Sequence, residues 1–375
     1  MTIARVCSSC FGDADLRAWI RQQSGKRGCD ACGKFDSPTC DLEELCGHIQ
    51  ACLETYWGYA VEQLPYETAG GGYLGATWDT YDLLVNEVGI SLPRDKKNRL
   101  FQAVLGGLTD ELWCDYDWGS LDYDDALQHS WERFCETVKH KRRFFFHSDG
   151  EDDRDSYTAA SLLNAIASIS QSIGLIRNLP KGMKLWRARP DIKPRRRVKA
   201  VDFGPPPIHL ANQSNRMNPP GIPMLYLAST ARTALKETRA AEAKIGQWTL
   251  ARPLRVLDLR SLPPTPGLFS GADRYDRLAL RFLHSFAGDV MKPVARDNRT
   301  HIDYLPSQVV TEFFRDFPFE GGRVDGIAYE STVHRRGWNV ALFLSPIELG
   351  LEKPAWGKSP KHSLNFSRAV RIATP

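Results

Sequence analysis

Apolar positions recur at two different periods along the chain, and the change of period divides it. Residues 41–147 follow a helical rhythm. In DLEELCGHIQACLETYWGYAVEQL, residues 41–64, Leu45, Ile49, Leu53, Trp57 and Val61 share one face at helical steps. A glycine-rich loop, AGGGYLG at 69–75, interrupts the pattern. It resumes in WDTYDLLVNEVG, KKNRLFQAVLGGL and DDALQHSWERFCETVKH. Asp122, Asp124 and Asp125 precede the last of these and suit the positive end of a helix. The acidic, turn-rich run at 148–156 reads as a linker, and 157–179 as one more amphipathic helix ending before Pro180.

Beyond Pro180 the period shortens. MKLWRAR, PMLYLAST, LRVLDL, GIAYEST and NVALFL are short β-branched and aromatic runs bounded by turn residues, which predicts strands. Two helical stretches interrupt them: ARTALKETRAAEA, and RYDRLALRFLHSFAGDVM with its counterpart PSQVVTEFFRDF. No tandem repeat is visible. The expectation is an α+β domain behind a mainly helical one. The segments are 1–40, dense in Cys, Gly and Asp; 41–150, helical; 151–180, linker and connecting helix; 181–350, α+β; and 351–375, a C-terminal tail.

Hydrophobic residues are 42% and charged residues 25% of the 375, enough to bury a core. The net charge of +4 is too small to argue for a nucleic-acid partner, although a mildly basic cleft for a pyrophosphate needs no more. No run approaches the ~18 apolar residues of a membrane span. MTIARVCSSCFGDADLR has no apolar secretory core, so a soluble cytoplasmic protein is expected.

Seven of the nine cysteines fall within the first 52 residues, which favours metal or structural thiols over disulfides. Cys7-x-x-Cys10 and Cys29-x-x-Cys32 lie 18 residues apart, the spacing of a four-thiolate zinc knuckle. A structural Zn2+ is the expectation, because four protein ligands leave no open position for a substrate. Buried, unmetallated thiols are the alternative. Cys46 and Cys52 fit the first helix as small apolar fillers.

Three segments carry candidate chemistry. Leu185-Trp186-Arg187-Ala188-Arg189 is a short strand bearing arginines. The run from Ala211 to Ala228 holds Arg216, Asn218, Gly221 and Tyr226, and Thr233-Ala234-Leu235-Lys236-Glu237 follows it. Asp325–Ser331 precedes Gly337-Trp338-Asn339. An arginine fork can hold a pyrophosphate bidentately, and a strand makes Arg187 rigid. Arg216 lies in a polar turn where backbone amides can approach phosphate. Tyr226 could stack on a flat ring. A carboxylate such as Glu237 can stabilise the positive charge that builds on a ribose carbon when a glycosidic bond breaks.

Singly, each residue has a blander reading. Arg187 could be a surface ion-pair residue, Glu237 an exposed helix carboxylate, Tyr226 a core aromatic and Ser331 a strand hydroxyl. No His or Asp stands at a spacing that would make Ser331 a nucleophile. The preference for Arg187 over Arg189 rests on the strand pattern. The run KPRRRVK at 193–199 reads as a solvated loop that helps draw in an anionic substrate.

Together these segments resemble the RES domain, named for its Arg, Glu and Ser, here Arg187, Glu237 and Ser331. The family's remaining pattern falls on Arg216, Asn218, Gly221, Tyr226, Ala234 and Glu237. The resemblance implies an ADP-ribosyltransferase-like fold over roughly 181–345. It also implies an enzyme that cleaves the nicotinamide–ribose bond of NAD+ by hydrolysis or phosphorolysis, in the manner of toxins neutralised by an Xre-type antitoxin. In that reading Arg187 and Arg216 hold phosphates, and Tyr226 stacks on the nicotinamide or its ribose. Glu237 stabilises the oxocarbenium ion, Ser331 orients ribose or phosphate, and Asn339 supports it. The segments CSSCF, CDACG and WERF…RRFFF resemble a HEPN/RES N-terminal domain. The small toxins lack this extension, so the antitoxin need not carry over, and a helical N-terminal domain could form a homo-oligomer. Two alternatives remain: transfer of ADP-ribose to a protein, and an RNA-directed role. For the latter, Arg142-x4-His147 and the looser Arg133-x6-His140 satisfy a permissive HEPN ribonuclease pattern; basic residues at a helix end are the plainer explanation.

Overall fold

The structure, a computed structural model, describes residues 2–23, 28–92, 98–146, 150–190, 192, 197–294, 299–353, 356 and 362–373. His147 and residues 193–196, singled out above, lie outside the described residues. The fold divides into two compact units, Met1–Asp125 with Pro264–Arg281, and Ala126–Pro263 with Phe282–Pro375.

In the first unit, Asp13 caps helix Ala14–Gln22 by accepting hydrogen bonds from the amides of Asp15 and Leu16. That helix buries Leu16 and Ile20 against Leu45, Ile49 and Leu53 of helix Leu42–Glu54. The five-residue stripe read from the sequence breaks off after Leu53. Trp57 belongs to strand Trp57–Tyr59, paired with Trp113–Asp115, and Val61 is 67% exposed. Two flat aromatics around Gly58 find cross-strand partners, which outweighs the helical period. The stretch after Trp78 is helical only over Thr80–Asp82 and the π-turn Leu83–Glu87. This unit is therefore more mixed than the mainly helical domain expected.

The second unit is built on an eight-stranded sheet. Its strands are β1 Ile176–Leu179, β2 Lys184–Arg189, β3 Leu225–Ala228, β4 Glu242–Leu250, β5 Leu254–Asp258, β6 Gly326–Glu330, β7 Trp338–Leu342 and β8 Leu364–Ala373. They lie in the order β8-β4-β2-β3-β7-β6-β5-β1, antiparallel throughout except for the parallel pair β5 and β6. The main helices assigned to this unit in whole or part are α1 Ala159–Ser172, α2 Ala231–Thr238, α3 Arg274–Met291, which crosses the division after Arg281, and α4 Leu305–Asp316. One face of the sheet is sealed by Leu185, Leu225, Leu227, Trp248, Val256, Val340 and Phe203.

Three sequence expectations change here. The predicted helix 157–179 stops at α1, because Gly174 turns the chain at φ +73°, and 176–179 joins the sheet as β1. The helix predicted over ARTALKETRAAEA ends at Thr238, where Arg239 adopts φ +57°. The residues after it form β4, whose backbone pairs on both sides, with β2 and with β8. The segment read as a tail supplies β8, so it belongs to the sheet.

Candidate active site

The sheet is weakly joined at its centre. β2 and β3 share a single register pair, Trp186↔Ala228, whereas β3 and β7 pair from Asn339↔Ala228 to Leu342↔Leu225. Backbones that diverge leave room between them for side chains and a ligand. A cleft of about 490 Å3 opens here, within the range of small-molecule sites. Arg187 and Arg189 enter its lining from β2, Tyr226 from β3, Glu237 from α2 and Asn339 from β7, with Asn218 from the preceding loop.

Glu237 is fixed by the local fold. Thr230 caps α2 by accepting the amide hydrogen of Thr233 at 3.0 Å, which sets Glu237 on the last turn. Ser331 Oγ donates to Glu237 Oε1 at 2.7 Å, and Asn339 Nδ2 donates to the same oxygen at 2.6 Å. Hydrogen bonds to an ionised acceptor are the strong ones. Among the described residues Oε2 keeps no hydrogen-bond partner, so one carboxylate oxygen is pinned and the other is available. Ser331 is held in turn: its Oγ accepts the amide of His334 at 3.1 Å, and its own amide donates to Gly337 O at 2.9 Å. A Cβ on Gly337 would lie 2.3 Å from Thr233 Oγ1, so only glycine lets this turn approach α2.

Arg187 Nη1 donates to Gly204 O at 2.7 Å, and Arg189 Nη2 reaches the same carbonyl at 3.2 Å. Burial lowers the Arg187 pKa, the neighbouring Arg189 cation lowers it further, and no ion pair offsets this among the described residues. An anionic ligand would relieve that cost. Tyr226 donates to Asn218 Oδ1 at 2.6 Å and accepts the Met217 amide at 3.2 Å. Burial pushes its phenol pKa up, so it stays neutral. Asn218 Nδ2 donates to Ile222 O at 2.8 Å, closing the turn.

Arg216 occupies a neighbouring recess of about 160 Å3, shared with Tyr226, Glu237, Asn339 and Arg239. Arg187 thus approaches Glu237 through the main cleft and Arg216 through the recess. Ser331 lines neither; it bonds to Glu237, where a bond to ribose or phosphate was expected.

Cys7, Cys10, Cys29 and Cys32 come together in the first unit, with their sulfurs within 4.8 Å of one another. The close approaches are 3.5 Å for Cys7–Cys32, 3.7 Å for Cys7–Cys10 and 3.8 Å for Cys10–Cys29. A tetrahedral site with Zn–S of about 2.3 Å has S···S edges of about 3.8 Å. The cluster therefore could hold a metal of that kind. Of the looser ribonuclease pair, Arg133 donates to Ser156 and lines a groove with His129, and His140 lines a cavity with Arg216.

Residues 184–359 match the RES domain, and residues 22–152 match HEPN/RES N-terminal domain 1. The chain is a RES-domain protein with a HEPN/RES N-terminal domain. No curated protein and no solved structure shows significant similarity to it. The RES domain carries an NAD+-directed activity at the level of the family. No helix among the described residues is long and apolar enough to cross a membrane.

The match to the N-terminal family runs past Asp125, into the unit that carries the cleft. Sequence reasoning also missed Gln308, 3% exposed on α4. Its Nε2 donates to Ser214 Oγ, Asn215 O and Asn218 O and so shapes the Asn218 turn. Nothing in a single sequence signals a partnership across some 90 positions. Tyr329, buried on β6 beside Tyr226, lines both the cleft and the recess and was read only as part of a strand.

Proposed function

We propose that this RES domain binds NAD+ in the cleft and breaks its nicotinamide–ribose bond. The observation that carries the reading is Glu237, with Oε1 pinned by Ser331 and Asn339 and Oε2 available, in a cleft that also presents Arg187. Arg187 would hold the pyrophosphate, whose charge offsets the cost of burying its guanidinium. Arg216, in the recess, is the second phosphate ligand. The Tyr226 ring, locked by its bonds to Asn218 and Met217, offers a flat surface to the nicotinamide riboside.

As the C1′–N bond breaks, its electron pair leaves with nicotinamide, which becomes neutral. Positive charge develops on C1′ and the ring oxygen, and the fixed Glu237 carboxylate stabilises it. Preorganisation matters, because a carboxylate already oriented pays no reorganisation as the charge appears. Either a water oxygen then bonds to C1′ and loses a proton to solvent, or an unprotonated phosphate oxygen bonds there directly. Ser331 and Asn339 act through Glu237 as positioning residues. Cys7, Cys10, Cys29 and Cys32 would hold a structural zinc, cross-linking the two CxxC turns and supplying no chemistry to the reaction.

Incubating purified protein with NAD+, with and without phosphate, and identifying products by mass spectrometry tests this. Free nicotinamide with ADP-ribose or its 1″-phosphate is the expected outcome. A mass increase of the protein by ADP-ribose would replace it with protein ADP-ribosylation.

A further inference from the structure

Arg216 is held by the end of a helix that contributes no residue to the main cleft. Its Nη1 donates to Val290 O at 2.7 Å and to Lys292 O at 2.8 Å, the carbonyls at the C-terminal end of α3. A guanidinium there satisfies carbonyls left over at the helix end and meets the negative pole of its dipole. The Tyr304 ring lies 5.6 Å from the guanidinium carbon, and Ser307 Oγ fixes the Arg216 carbonyl at 2.6 Å. With five N–H donors, the guanidinium keeps others for a ligand. Its position therefore follows the end of α3.

That end of α3 is anchored by the helix Tyr123–Glu136, inside the stretch that matches the N-terminal family. Trp131, 2% exposed, donates its indole N–H to Asp289 Oδ2 at 3.0 Å, one residue before Val290. The same ring packs edge-on against Phe286 at 4.9 Å, one turn earlier on α3. A cavity of about 540 Å3 lies beside this junction, lined by Trp131, Cys135, Asp289, Val290, Tyr304 and Arg216. Packing on that side is thus incomplete, and the Trp131–Asp289 bond is a discrete tie across it.

We infer that Trp131 is a positioning residue for substrate binding: through Asp289 it sets the carbonyls that hold Arg216, and so the N-terminal region tunes affinity for the dinucleotide. The inference rests on the NAD+ reading and on Arg216 as a phosphate ligand. It gives the helix containing Trp131 a role in the reaction although no residue of that helix lines the cleft.

The test is a double-mutant cycle on NAD+ turnover. Trp131→Phe keeps an aromatic ring and removes the donor. One hydrogen bond lost should raise KM about three- to tenfold with kcat little changed. In an Arg216→Ala background the same change should leave KM where Arg216→Ala put it, because an effect routed through Arg216 has nothing left to act on. A general packing role would instead give multiplicative effects, or a lowered melting temperature with KM unmoved, and either result overturns the inference. An active wild type whose KM ignores Arg216→Ala overturns it while leaving the NAD+ reading intact. A folded wild type that neither consumes NAD+ nor binds ADP-ribose in calorimetry overturns both.

Discussion

Ser331 donates its hydroxyl hydrogen to Glu237 Oε1 over 2.7 Å, although the two residues are 94 positions apart. The bond ties the end of β6 to the last turn of α2 and decides where the carboxylate points. Losing a hydrogen bond to a charged group costs about 1.5–3 kcal/mol. Ser331→Ala should therefore lower kcat roughly ten- to a hundredfold, with a smaller change in KM, and Asn339→Leu should behave alike. Because both donors serve one oxygen, the double variant should fall short of the product of the two effects. Steady-state kinetics on the three variants checks this. Full additivity would mean that the two side chains act independently of each other, contrary to a shared role at one oxygen.

Burial in the cleft, with Arg189 alongside, holds the Arg187 pKa below its ordinary value. Arg187→Ala should raise KM for NAD+ by roughly ten- to a hundredfold. Arg187→Lys should recover only part, since an ammonium cannot reproduce the planar fork. Comparing KM values for the two variants reads this directly, and full recovery by lysine would reduce the role of Arg187 to charge.

The turn at Gly337 has no room for a methyl group. Gly337→Ala would press Cβ into Thr233 Oγ1 and displace the turn that carries Ser331. Activity should fall more steeply than stability, with overpacking costing about 1–3 kcal/mol. Parallel thermal melts and turnover rates separate the two.

Asp258, at the end of β5, is 1% exposed. Burial raises its pKa, but bonds from Arg260 Nε and Nη2, each 2.7 Å, together with the Arg260 amide and the Arg260 and Arg177 charges, more than offset this and leave it lowered. A depressed carboxyl pKa stabilises the fold above the unfolded value of about 3.9, and that contribution is lost as pH falls through the folded value. Arg260→Ala leaves a buried carboxylate with Arg177 at 3.7 Å as its remaining ion-pair partner and removes a guanidinium stacked 4.1 Å from the Trp338 ring. The variant should be about 3 kcal/mol less stable near neutrality, and the gap should narrow as pH falls toward 3. Melting curves across that range give the answer.

Metal analysis of the purified chain should find one zinc per molecule. Cys29→Ser should lose it and lower the melting temperature, as a strong chelator should in the wild type. A full-length protein without bound metal, equally stable with and without chelator, would leave the four sulfurs as a thiol cluster.

Much of the site was legible in the sequence because its residues sit next to local punctuation. Arg187 follows an aromatic on a strand, Glu237 follows a Thr-capped helix start, and paired CxxC turns declare themselves by spacing. What escaped has one physical cause, which is tertiary pairing. Residues 242–250 contain good helix formers, yet two neighbouring strands recruit their backbone into β4. Trp57 continues a helical period that the pairing of Trp57–Tyr59 with Trp113–Asp115 overrides, and Val61, on the short helix Ala60–Gln63, faces solvent. Gln308 and Trp131 look like ordinary helix residues until their partners, distant in sequence, are known.

In the proposed reaction the Glu237 carboxylate stabilises the positive charge that develops as the nicotinamide–ribose bond breaks, and nicotinamide release by wild type and Glu237→Gln tests this most directly. Glutamine keeps an oxygen to accept from Ser331 and Asn339, so the fold should persist while the negative charge is gone. The account predicts turnover by the wild type and a loss of roughly 10²–10³ in kcat for the variant, at an unchanged melting temperature. Equal nicotinamide release by both proteins would contradict it.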